Sequence, residues 1–65
     1  MPQIAKTRIK VKMYRFVCPD NIKIKTGDKV KISYEDQIEY GEILTISPWN
    51  DNIKTDGVII DSSSN

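Results

Sequence analysis

The sequence predicts an all-β domain, a small SH3-like barrel of five to six antiparallel strands. Three observations predict it. The dominant hydrophobic period is two, as in "IKVKM" and "KVKIS", and alternate side chains of a strand point to opposite faces. No stretch of ten or more residues carries the 3.6-residue spacing of an amphipathic helix. The chain has only 65 residues, and a domain of that size buries only about 60% of its unfolded surface. A sheet closed on itself suits so small a core and leaves no edge to protect. An OB-type barrel would need more chain.

Each element can be justified in order. Residues 5–17 read as one extended segment, far longer than the usual five or six residues or so, bent to serve two sheet faces. Thr7, Ile9, Val11 and Met13 take its odd positions, and Arg8, Lys10 and Lys12 the even ones. The pattern breaks at Met13-Tyr14, after which Tyr14 and Phe16 hold even positions. Either a β-bulge swaps the faces there and sends both rings into the core, or the strand is regular and both rings lie on the basic face. Pro19-Asp20-Asn21 ends the segment. Ile22 and Ile24 then alternate with Lys23 and Lys25, and Thr26-Gly27-Asp28 forms a turn. Val30 and Ile32 alternate with Lys29, Lys31 and Ser33. Glu35-Asp36 is a tight hairpin tip before a strand over 37–46. Residues 48–52 form a loop. Asp56-Gly57 reads as the centre of a final hairpin, with Gly57 and Gly27 at positive φ. The expected core is Thr7, Ile9, Val11, Val30, Ile32, Ile38, Ile43 and Ile46, with a face swap allowed near Gly41. One domain covers residues 1–61, and residues 62–65 form a disordered polar tail.

The net charge of +1 hides a division. Residues 1–31 hold nine Lys and Arg against two acids, a net +7. Residues 32–65 hold Lys54 against seven acids, a net −6. Such asymmetry points to an electrostatic partner, or to basic strands laid beside acidic ones in a single sheet. Lys6, Arg8, Lys10, Lys12, Lys23, Lys25, Lys29 and Lys31 can share one exterior. With Tyr14, the seven from Arg8 to Lys31 form the candidate nucleic-acid-binding set, cations for phosphates and a ring for base stacking. Lysines on exposed strands also serve solubility alone. Trp49, in "SPWNDN", is either a lid on one end of the barrel or an anchor for a protein partner.

Several classes are set aside. The chain has no histidine, no Gly-rich phosphate loop, no nucleophile elbow and no paired carboxylates for acid–base work. No enzyme activity and no cofactor are expected. "NDN" at 50–52 lacks the spacing and glycine of a calcium loop, so no metal is expected. Cys18 is the one cysteine; it cannot form an internal disulfide and reads as a small buried side chain. No apolar run approaches the roughly 20 residues of a membrane span, and the N-terminus lacks a signal-peptide core. A cytoplasmic setting is the expectation.

The expected function is therefore non-catalytic binding of single- or double-stranded nucleic acid through the basic strand face. The alternative is a protein-interaction module or small inhibitor. It would offer its lysines to an acidic protein, or its acidic half and Trp49 to a basic one. A phage or mobile-element accessory protein would suit that description. An oligomer is the expectation if a barrel edge stays open. Neither a membrane nor a small-molecule substrate is expected as a partner.

Residues 8–46 also resemble two known β-rich patterns. Tyr14, Phe16, Pro19, Gly27, Asp28, Val30, Gly41 and Ile43 stand in an order similar to that of the N-terminal DNA-binding domain of the primosomal replication-restart helicase. "GDKVKI" followed by "IEYGEI" is similar to the polymerase-suppressor (PSP) domain. Ser33-Tyr34-Glu35 stands where the helicase domain carries Pro-Phe-Gly. What the resemblance implies is the barrel-like meander, with a nucleic-acid role as a further expectation.

Overall fold

The structure is a computed structural model that describes residues 1–63. It is all-β. The strands are β1 (Gln3–Ile9), β2 (Lys12–Cys18), β3 (Lys29–Tyr34), β4 (Gln37–Pro48) and β5 (Gly57–Ser62). They close into a barrel in the order β1-β2-β5-β3-β4. Four ladders are antiparallel. The fifth, β2 with β5, is parallel and pairs only Phe16 with Gly57 and Val17 with Val58.

Residues 5–17 are two strands, not one. β1 and β2 pair antiparallel with Ile9 opposite Lys12, so Lys10 and Val11 form a two-residue turn. Lys10 takes φ 58 there, without the glycine or asparagine that usually marks such a turn. The hairpin swaps the inward parity: Ala5, Thr7 and Ile9 point inward from β1, and Phe16 and Cys18 from β2. Tyr14 and Phe16 thus turn inward, and no bulge near residue 13 is needed. Val11, expected in the core, is 93% exposed at the turn.

The strand that bends to serve two neighbours is β4, of 12 residues. Its first half pairs with β3 through Glu42, and its second half pairs with β1 from Glu42 onward. Thr7 pairs with Ile43 and Lys6 with Thr45, which leaves Leu44 as the extra residue of a bulge. The face swap therefore falls at Leu44 rather than Gly41. Ile38, also expected inside, sits opposite the outward Ser33 and is half exposed. The Glu35-Asp36 tip is as expected: both residues have positive φ, 50 and 62, the pair that a two-residue hairpin turn requires.

Phe16, Ile32, Ile43, Ile59, Val30, Cys18, Ala5 and Ile9 form the core cluster. Burying each large apolar side chain contributes about 1.5–3 kcal/mol. Ile22 and Ile24 pack against that cluster from a segment that forms no strand. Asp28 anchors this segment: its backbone carbonyl accepts from Ile43 N, and its carboxylate accepts from Lys25 N at 2.9 Å. Gly27 has φ +93, as expected.

Two further expectations are corrected at the C-terminal end. Asp56-Gly57 is not a hairpin. β5 begins at Gly57, whose φ is not positive, and runs between β2 and β3. Asp56 precedes it, its N–H donating to Arg15 O at 2.7 Å. The expected tail starts too early: Ser62 is buried in β5, and Ser63 N donates to Lys29 O. Residues 64 and 65 of that tail lie outside the described residues.

Candidate nucleic-acid interface

Strand parity builds a charged outer face. Thr7 and Ile9 fill the core, so Arg8 between them points outward on β1. Val30 and Ile32 do the same on β3 and turn Lys29 and Lys31 outward. β4 lies between these strands, where buried Gly41 and Ile43 turn Tyr40 and Glu42 outward. The registers then assemble two rows. Glu42 lies opposite both Arg8 and Lys29, and Lys31 lies opposite both Tyr40 and Asp61. Arg8 Nη2 donates to Glu42 Oε1 at 2.7 Å. The charge division between the halves of the sequence is thus partly cancelled across the ladders, where opposite charges attract.

Tyr40 was not among the candidates read from sequence. It is 68% exposed. It forms the ridge between two shallow depressions, of about 270 Å³ beside Arg8, Lys10 and Lys29, and about 390 Å³ beside Lys29, Lys31 and Asp61. The parity of Gly41 and Ile43 would have revealed it. Taking Ile38 as inward hid it.

The other candidates lie elsewhere. Lys10 and Lys12 sit at one end of the barrel, where they line a cleft of about 240 Å³ with Ile9, Tyr14, Tyr34 and Glu39. Tyr14 is not on the outer basic face. Its ring is half-buried and points inward, 5.9 Å from Phe16 and 4.9 Å from Tyr34. The Tyr34 hydroxyl is pushed up to about 12, chiefly by its hydrogen bond with Tyr14, then by burial and the charge of Glu35. Lys23 and Lys25 lie beyond the Cys18 end of β2, around a depression shared with Asp28 and Ser63. The basic set is therefore divided among three places. The outer face holds Arg8, Lys29 and Lys31, with Lys10 at its rim.

Trp49 is half-buried, its Nε1 donating to Asp51 Oδ1 at 2.6 Å. It lines a depression with Pro2, Ile46 and Pro48. Cys18 is buried, and its Sγ donates to Ile22 O. Burial, with the nearby Asp20 charge, pushes its thiol up, which disfavours the reactive thiolate. Among the described residues, no three His, Cys, Asp or Glu gather as a metal site, and no helix is long and apolar enough to cross a membrane. No protein family, curated protein or solved structure matches the chain.

Proposed function

We propose that this barrel is a non-catalytic module that binds nucleic acid through the outer face of β1, β4 and β3. The observation that carries the reading is the convergence of Arg8, Lys10, Lys29 and Lys31 around the exposed Tyr40. Those four cations outnumber Glu42 and Asp61, so the face carries a net +2. Phosphates bound there would displace condensed counterions, a driving force that weakens with salt by about 0.7–0.9 log units per contact and decade.

The test is fluorescence anisotropy with labelled oligonucleotides at low salt. The Lys29→Glu/Lys31→Glu double variant is expected to bind at least tenfold more weakly, with a shallower salt dependence. Reversal of the acidic tip, Glu35→Lys, should change little. Equal binding by the wild type and the double variant would remove the reading. A protein-interaction role is the second reading, favoured by the apolar depression that Trp49 shares with Pro2, Ile46 and Pro48.

A further inference from the structure

We infer that Tyr40 is a stacking platform and that the face selects unpaired nucleotides. This inference rests on the nucleic-acid reading and adds to it a choice between single strand and duplex. Three observations carry it. The ring is 68% exposed. Its outward position on β4 is set by inward neighbours on both sides in sequence, half-buried Glu39 and buried Gly41. A depression flanks the ring on either side, each bordered by cations.

The chemistry follows from that placement. A duplex hides the faces of its bases in its own stack and presents only phosphates and groove edges to a convex surface. An unpaired base offers a free π-face, and aromatic side chains bind it with little regard to sequence. The cations beside both depressions, Arg8 and Lys10 on one side and Lys31 on the other, with Lys29 shared, then meet the phosphates before and after the stacked base. Tyr40 also has the lysine opposite it in the ladder, Lys31, close to the phosphate path. The backbone is a strand in a closed barrel, so the platform is formed before the ligand arrives.

The test compares three probes: a thymidine or uridine homo-oligomer, a duplex of the same length, and inorganic polyphosphate, which has charge but no bases. The wild type is expected to prefer the homo-oligomers. Tyr40→Ala is expected to lose roughly five- to a hundredfold in affinity for them, and to bind polyphosphate as before. Tyr40→Trp should keep or improve single-strand binding. Melting curves check that the variants are folded, and the exposure of the ring makes that the expected result. If Tyr40→Ala binds single strands like the wild type, or loses polyphosphate equally, the stacking inference is overturned while the charged face stands. If the wild type binds none of the three probes, the nucleic-acid reading falls as well.

Discussion

The Tyr34 hydroxyl has a measurable consequence for stability. An ordinary tyrosine titrates near pH 10 or so, whereas this one is held up at about 12. The folded state therefore favours the neutral phenol more than the unfolded state does. Its contribution is complete below about pH 10, and is lost as pH rises toward 12. Urea unfolding across this range is expected to show a fall in stability that is smaller in Tyr34→Phe. The phenylalanine keeps the ring against Tyr14 and Phe16. Identical pH profiles for the two would show that Tyr34 is not perturbed. The same residue closes the barrel's end: it pairs with Gly57 in the ladder, and its ring bridges toward Tyr14, which β1 flanks on one side and β5 does not reach on the other.

At the level of elements, β5 depends on a residue without a side chain. A Cβ on Gly57 would come within 2.3 Å of Ser33 O and 3.3 Å of the Phe16 ring. The requirement is for space between two strands rather than for an unusual backbone angle. Gly57→Ala is expected to cost at least about 1–3 kcal/mol, as overpacking does. That is a large share of the roughly 5 kcal/mol a domain so small can hold. Thermal melting checks it, and an unchanged midpoint would show that β5 can shift to make room.

Gly57 also shows which kinds of structure the sequence made legible. Val30 and Ile32 could be read because their strand alternates cleanly against lysines. The Glu35-Asp36 tip was readable because two strands flank it at close range. Asp56-Gly57 was misread because the dipeptide favours a turn locally, while the reason for this glycine lies in Ser33 and Phe16, far away in sequence. The Lys10-Val11 turn left no local signature, since a lysine occupies the positive-φ position. Tyr40 was hidden for a related reason. Ile38 is apolar and reads as inward, but Gly41 and Ile43 set the inward parity of this stretch, and that parity turns both Ile38 and Tyr40 outward. Of the candidate site, Arg8, Lys29 and Lys31 were legible from parity alone. Their separation from Lys12, Lys23 and Lys25 required the strand order.

Across the whole molecule, charge is arranged by adjacency of strands. β4 carries Glu42 between the cations of β1 and β3, and β5 carries Asp61 beside Lys31. These acids support the sheet but oppose a polyanionic ligand. Glu42→Gln is therefore expected to strengthen nucleic-acid binding severalfold at low salt, with a small loss of stability, because exposed ion pairs contribute only about 0–1 kcal/mol. Anisotropy and melting on the same variant measure the two effects. Weaker binding in Glu42→Gln would mean that Arg8 needs the carboxylate to hold its position.

The strand order has a consequence for how the protein is made. β5 is the last of the five strands in chain order, yet it sits between β2 and β3 in the closed sheet. A nascent chain that has emerged only as far as Pro48 can pair β1 with β2, β3 with β4, and β1 with β4. It cannot join β2 to β3. Both would remain as open edges, with the apolar face that Ile59 later covers still bare. Such edges recruit other strands. Closure therefore waits until Gly57–Ser62 are free to enter the gap, and until then the chain is open to capture through those two edges.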